Sequence, residues 1–279
     1  MSAPPFTHSD HIWPEVVGLI PAAGQAKRIQ PFPCSKEMFP VGFSRDERTG
    51  TPRPKVASQY LMEKFQAAGI TKTYMVIREG KWDIPGYFRE GDGVGMSLAY
   101  LVIQGSLGPP YTIDYAYPFV RQNRIAFGFP DILFGPKHAY RQLIQKQEQT
   151  EADVVLGLHR IEDPRVWDMV DADEDGWVRA IMMKPRTTTL TFGWDFAVWT
   201  PVFSEFLHGF LRSEETKRNF DRLASTANDP GGDLAVGVVL QAALKAGLSI
   251  QSVKFPDAGV LDIGSPENLE KAVSRFHFE

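Results

Sequence analysis

Val16-Val17-Gly18-Leu19-Ile20-Pro21-Ala22-Ala23-Gly24-Gln25-Ala26-Lys27-Arg28 is the stretch around which the rest of the chain is organised. It opens as a run of β-branched and aliphatic residues, the pattern of one buried strand. It then breaks into Ala22-Ala23-Gly24 and ends on two cations. Small side chains let a backbone approach a ligand closely, and backbone N–H groups in such a turn cradle anions. Lys27 and Arg28 place charge where a triphosphate would lie. Ser35-Lys36-Glu37-Met38-Phe39-Pro40 brings a third cation into the same loop. A strand feeding a small-residue turn with three cations reads as a phosphate site. The plain alternative is a tight turn with solvated basic residues, and a short glycine-containing motif alone does not separate the two.

Composition narrows the class. A chain of 279 residues, 43% hydrophobic and 23% charged, is sufficient for one large α/β domain. A net charge of -4 argues against general nucleic-acid binding and leaves room for a local basic pocket. The single cysteine, Cys34, excludes an internal disulfide and a multi-cysteine zinc site. Six histidines show no paired metal-ligand spacing. No apolar run approaches the roughly 20 residues of a membrane span. Residues 1–14 have neither a basic start nor an apolar core, so they read as a flexible arm rather than a secretory signal. The expectation is a cytoplasmic protein with no membrane or nucleic-acid partner and the oligomeric state left open, homo-oligomer included.

Beyond the opening strand, Gly42 to Pro54 is charged and rich in turn formers, and reads as a solvated loop. Lys55 to Ala68 has helical spacing and ends at Gly69, and Thr73 to Ile77 is a short buried strand. Strand, helix, strand in that order implies a parallel sheet. Further strands are expected at Leu98–Ile103, Arg124–Phe129, Ala152–His159, Leu190–Trp199 and Ser249–Phe255. Helices are expected at Ile84–Phe88, Lys137–Gln149, Pro201–Leu211, Asp233–Ala246 with Asp233 as N-cap, and Pro266–Arg275 capped by Ser265. Glu214 to Asn228 is polar, with a helix left open. Met169 to Met183 reads as a hairpin turning at Asp173-Glu174-Asp175-Gly176.

Taken together, several stretches resemble the sugar-1-phosphate nucleotidyltransferases, the glucose-1-phosphate thymidylyl- and uridylyltransferases among them. Leu-Ile-Pro-Ala-Ala-Gly-x-x-x-Arg followed by Lys-Glu-Met-Phe-Pro is similar to the signature loop of that family. The resemblance departs at Ala26, where a second Gly is expected, and at Lys27, where Thr is expected. It runs from about residue 16 to 273 and implies a three-layer α/β/α Rossmann-like fold with a central mixed, mostly parallel sheet. It also implies a single domain over 1–279 with a hairpin-bearing sugar side at 167–200. Carried over position by position, it makes Arg28 and Lys36 catalytic, and Ala22, Ala23, Gly24 and Gln104 nucleotide-binding, with Lys27 added to the nucleotide side for its charge on the same turn. Lys184, in Met183-Lys184-Pro185, would meet the sugar phosphate, and Gly193 and Asp195 the sugar. Met183 stands where the family has an acid. Asp131 and Asp262, in Gly128-Phe129-Pro130-Asp131 and Leu261-Asp262-Ile263-Gly264, would hold Mg²⁺.

Residue by residue, plainer readings stay open: Gln104 as a polar loop start, Asp131 as a helix cap, Trp194 and Asp195 as ordinary strand residues. The function implied is transfer of a nucleotidyl group from a nucleoside triphosphate, dTTP or UTP, to a sugar 1-phosphate, with Mg²⁺ and release of pyrophosphate. Two alternatives remain. One is a non-catalytic homologue that binds nucleotide or sugar nucleotide. The other is a glycosyltransferase using Asp171-Ala172-Asp173 as an Asp-x-Asp metal motif.

Overall fold

The computed structural model describes residues 13–45, 49–213, 216 and 233–275. The expected arm over 1–14 and the polar segment 214–228 therefore fall mostly outside the described residues. Among the described residues, β1 (Val16–Ala22), β4 (Lys72–Arg78), β5 (Ser97–Ile103), β6 (Arg124–Gly128), β8 (Val154–Arg160), β9 (Met169–Ala172), β10 (Val178–Met182), β11 (Phe192–Trp199) and β12 (Ile250–Phe255) form one nine-stranded sheet. Its order across the middle is β5-β4-β1-β6-β11-β8-β12, with β9 and β10 continuing from the start of β11. The ladders β5-β4, β4-β1, β1-β6 and β8-β12 are parallel, while β11 is antiparallel to β6, β8 and β9. Followed through these ladders, only β10 and β11 run against the common direction. The sheet is mixed and mostly of one direction, as expected.

Helices cover both faces. On one lie α1 (Ala57–Ala67), α2 (Asp83–Phe88) and α5 (Ala139–Thr150), packed on Ile20, Ile77, Phe134 and Phe196. On the other lie α3 (Pro109–Asp114), α4 (Tyr117–Val120), α6 (Pro201–Arg212) and α7 (Val236–Lys245), packed on Leu19, Phe127, Trp194 and Trp199. Leu19 and Ile20 are neighbours in β1 yet belong to opposite cores, which is why the strand reads as a continuous apolar run. Gly69 (φ 81°) and Gly247 (φ 91°) end α1 and α7 in left-handed conformations. The following N–H groups reach back, Ile70 to Phe65 O at 3.0 Å and Leu248 to Ala243 O at 3.0 Å. No helix among the described residues is long and apolar enough to cross a membrane.

Two elements differ from expectation. Gly42–Arg45 and Pro52–Pro54 belong to paired strands rather than to a plain loop: β2 (Pro40–Arg45) pairs antiparallel with β3 (Pro52–Val56). The buried edge of β2, Val41, packs with Ile263 and Ala272 near the last helix, α8 (Pro266–Arg275). Helix α7 starts at Val236, with Ala235 in the cap position and no side-chain cap, so Asp233 lies outside it. Ser265 does cap α8, accepting from Asn268 N at 3.3 Å.

Candidate active site

Chain order along the sheet reverses beside β1. The chain moves outward from β1 through β4 to β5, then returns to add β6 on the other side of β1. A crevice outside the strand ends at such a reversal is where open α/β sheets bind ligands. The carboxyl ends of β1, β4, β5 and β6 share one edge, which brings Ala22-Ala23-Gly24, Arg78, Gln104 and Asp131 to it.

After β1 the backbone makes a 3-10 turn at Lys27–Ile29, led by Ala26 in the left-handed region at φ 52° and ψ 35°. A Cβ there costs about 1 kcal/mol or more relative to glycine. This is the position where the resemblance expects glycine. Ala26→Gly should therefore raise stability by about 0.5–1 kcal/mol in a denaturation titration, whereas a loss would show that the Ala26 methyl is packed to advantage. Gln25 lies against Arg78: with its amide oxygen turned to the guanidinium, it accepts at 2.6 and 2.9 Å. Ser35 anchors the far end of the loop, its N–H and hydroxyl both donating to the Asp83 carboxylate at 2.7 Å.

From this loop runs a chain of charges. Lys81 Nζ donates to both carboxylate oxygens of Glu37 at 2.8 Å, and Glu37 is fully buried. Lys36, next in sequence, is ion-paired to Asp131. Asp131 follows β6 and precedes β7 (Ile132–Phe134), which pairs antiparallel with β13 (Val260–Asp262). That two-stranded ladder sets Asp262 opposite Ile132, and Ile263 N donates to Asp131 O at 3.0 Å. The Asp262 carboxylate accepts from Gly264 N at 2.7 Å and lies 3.7 Å from Arg28 Nη2. The order is thus Lys81, Glu37, Lys36, Asp131, Asp262, Arg28: alternating signs except for two adjacent carboxylates.

Burial raises the Glu37 carboxyl, with Lys81 and Lys36 pulling it back. Asp262 is also raised, first by burial and then by Asp131. For Lys36 burial alone would lower the ammonium, but Asp131, Glu37 and Asp262 push it up. Lys36 therefore stays charged beside Gly24, whose Cβ position lies 3.8 Å from Lys36 Nζ. Among the described residues no three metal-ligating side chains cluster together. Two adjacent carboxylates nonetheless suit a hard cation that takes its other ligands from phosphate oxygens and water. The donor set fits Mg²⁺ on those terms.

The structure brings Ala22, Ala23, Gly24, Arg28, Lys36, Asp131 and Asp262 together. Lys27 is exposed on the same turn, and Gln104 is exposed just past β5. Lys184 lies elsewhere, exposed and beside Asp168 past the end of β10. Two expectations fail. Asp195 does not face a sugar: it is 2% exposed, and its carboxylate meets His159 Nδ1 at 2.8 Å. The cause is a bulge in β11 between Trp194 and Phe196, which puts Asp195 on the same side as Phe196, against His159, and leaves Trp194 in the other core. Gly193 is buried, and a Cβ on it would meet Ile161 at 2.8 Å and Asp168 O at 3.1 Å. Its missing side chain serves strand packing.

His159, in β8, is fully buried. Nδ1 faces the Asp195 carboxylate and Nε2 faces the Gly135 carbonyl at 2.9 Å. Both neighbours accept when Asp195 is a carboxylate, and both ring nitrogens then donate from an imidazolium. Burial alone would lower its pKa, yet Asp195 and then Gly135 hold it above 6.5. Asp195 is itself raised by burial, with His159 and Lys64 pulling it back. Lys64, lowered to about 8 by burial and by Lys55, gains from deprotonation only above that pH. A raised native pKa stabilises below the unfolded value, and that stabilisation is lost as pH rises through the native pKa. Between about pH 6.5 and 8, stability should fall with pH by up to about 1.4 kcal/mol per unit. Denaturation titrations across that window should show the slope, and His159→Gln should flatten it. An equal slope in the variant would assign it elsewhere.

Glu37, Lys81, Arg78 and Asp168 were not singled out from sequence. Glu37 carried one signal: an acid set in the apolar Met38-Phe39 surroundings of a loop needs a partner. Lys81, 44 positions on, is not recognisable as that partner without the fold.

No family model matches the chain. It is 21% identical over 258 residues to the low-salt glycan biosynthesis nucleotidyltransferase of Haloferax volcanii, covering 91% of this chain and 64% of that protein. It is 26% identical over 184 residues to the mannose-1-phosphate guanylyltransferase of Mycobacterium tuberculosis, covering 64% of this chain and 48% of that one. The chain thus spans about two thirds and half of those relatives. Among solved structures, a Bacillus anthracis protein described as a glucose-1-phosphate thymidylyltransferase superposes with a TM-score of 0.73 at 16% identity, covering 95% of this chain and 97% of that one. A UDP-glucose pyrophosphorylase bound to UDP-glucose gives 0.71 at 17%, covering 93% and 97%. The chain is similar in sequence to sugar nucleotidyltransferases and has their fold.

Proposed function

We propose that this chain transfers a nucleotidyl group from a nucleoside triphosphate, dTTP or UTP, to a sugar 1-phosphate and releases pyrophosphate. The observation that carries this reading is the charge chain from Lys81 to Arg28, set beside Ala22-Ala23-Gly24 where the strand order reverses. Such a reaction needs no general base, because a phosphate monoester with a second pKa of about 6 is already a nucleophile near neutral pH. It needs in-line alignment and neutralisation of charge at the α-phosphorus. Backbone N–H groups of the Ala22–Gly24 turn would bind the triphosphate, with Arg28 forking onto its oxygens. Lys36 is held by Asp131 and supplies a fixed positive charge at the same place. Lys184 would hold the sugar phosphate from the 167–200 side of a single domain, and Gln104 would meet the base.

Asp131 and Asp262 would hold Mg²⁺, which when bound neutralises phosphate charge and orients the reacting groups. Substrates of this kind suit a cytoplasmic setting. The glycosyltransferase reading loses its motif: Asp173 accepts from Trp177 N at 2.8 Å and so serves the hairpin turn. Base and sugar are tested by incubating the protein with Mg²⁺ and each nucleoside triphosphate against a panel of sugar 1-phosphates, following pyrophosphate. Arg28→Ala should lower kcat by about 100-fold, the few kcal/mol typical of a group acting on developing charge. Lys27→Ala should change it by only a few fold. Equal losses would contradict the distinction.

A further inference from the structure

Resting on that proposed function, we infer that Arg78 recognises the nucleobase, donating a hydrogen bond from its guanidinium to a ring carbonyl of uracil or thymine. Arg78 ends β4, the strand between β1 and β5. Register sets it beside Ile103, immediately before Gln104, and sets its neighbour Ile77 beside Ala22. Its head group spans the gap between the loops that follow those two strands. On one side both terminal nitrogens donate to Gln25, at 2.6 and 2.9 Å with the amide oxygen turned toward them. On the other, Nη2 lies 4.0 Å from where a Cβ on Gly105 would stand. The gap is open to solvent: Arg78 is only half-buried, and Gly24, Gln25, Gln104 and Gly105 around it are exposed.

Both walls of the gap are held. The Arg78 carbonyl accepts from Lys81 N at 3.1 Å, and Lys81 is tied to Glu37. The loop after Gln104 is closed by Ser106 Oγ donating to Gly108 O at 2.7 Å and by Thr112 Oγ1 donating to Ser106 Oγ at 2.7 Å. A guanidinium has more N–H donors than Gln25 takes, and no ion pair among the described residues involves Arg78. Its place in the sheet says which part of a nucleotide those donors meet. Arg28, Lys36, Asp131 and Asp262 gather on the β6 side of β1, whereas Arg78 lies on the β5 side. A nucleotide whose α-phosphate meets the first group extends its base toward the second. Uracil and thymine present a ring N–H between two carbonyls. The Gln104 amide matches the N–H and one carbonyl, since it both accepts and donates. The other carbonyl requires a donor, which a guanidinium supplies and an acceptor side chain would not.

The test replaces one carbonyl oxygen at a time. Wild type, Arg78→Met and Arg78→Lys are assayed for kcat/KM with UTP or dTTP, whichever the wild type prefers, and with its 2-thio and 4-thio analogues. Sulfur is the weaker acceptor. At one ring position the wild type should favour oxygen by about tenfold or more, as expected for a hydrogen bond from a charged donor. Arg78→Met should bring that ratio to within about threefold and weaken use of the parent nucleotide about tenfold, through KM rather than kcat. Arg78→Lys keeps the charge without the fork and should give an intermediate ratio, so the test survives a methionine variant that does not fold. Inorganic tripolyphosphate, which has no base, is the control: as an inhibitor it should bind wild type and variants within about threefold of one another. A wild type indifferent to sulfur at both positions, a ratio unchanged in the variants, or tripolyphosphate inhibition lost in step with the nucleotide would overturn the base contact and leave the proposed function standing. A wild type that releases no pyrophosphate with any substrate pair would overturn both.

Discussion

Lys81→Met should destabilise the protein by about 3–5 kcal/mol, the usual penalty for breaking a buried ion pair by removing one partner. Glu37 is fully buried, and Lys81 meets both of its carboxylate oxygens at 2.8 Å. Without that ammonium the carboxylate retains only Lys36, which is committed to Asp131. Glu37 would take up a proton to escape the cost, so the loss should grow with pH through the carboxylate range and beyond. In a chain of this size such a penalty lowers Tm by roughly 10 °C. Glu37→Gln added to Lys81→Met should recover part of the loss, since both charges are then gone. A thermal melt of the single variant within about 1 kcal/mol of wild type would show that Lys81 does not support Glu37 as described.

Asp131→Asn and Asp262→Asn should each cut kcat by about two to three orders of magnitude while the fold persists. The two effects on stability should differ. Asp262 is raised by burial and by Asp131, so its charge is a strain in the unliganded protein. Asp262→Asn should therefore melt no lower than wild type without nucleotide, the signature of a residue kept for activity rather than stability. Asp131→Asn leaves Lys36 without its partner and should melt lower. Steady-state kinetics at saturating Mg²⁺, paired with melting curves, reads both. Retained pyrophosphate release in either variant would remove that carboxylate from the site.

How far the sequence foretold this arrangement depends on the range over which each feature is determined. Strand β1 and its turn were legible because both signals are local: an apolar run, then small residues and cations. Helix ends at Gly69 and Gly247 were legible for the same reason. The ladder of β7 and β13 was not, because two three-residue strands more than a hundred positions apart leave no periodic signature. Asp131 and Asp262 were found only through the resemblance, and the ladder now gives the physical reason that they meet. Asp195 was misread because a strand's alternation assumes an unbroken register, and one bulge exchanges the two faces. The β2-β3 hairpin was hidden by its own surface. Phe43 is 76% exposed, and its strands carry charge and proline where alternation would otherwise show.

Pyrophosphate release by wild type and Lys36→Met, with and without sugar 1-phosphate, tests the central claim most directly. Lys36 lies at the middle of the charge chain, against Gly24 on one side and Asp131 on the other. The account predicts release only when nucleoside triphosphate, Mg²⁺ and sugar 1-phosphate are all present, and a fall of about 100-fold or more in Lys36→Met. Release that ignores the sugar 1-phosphate, or that survives Lys36→Met, would contradict it. Nucleotide binding with no release from any pair would leave a non-catalytic homologue on the same fold.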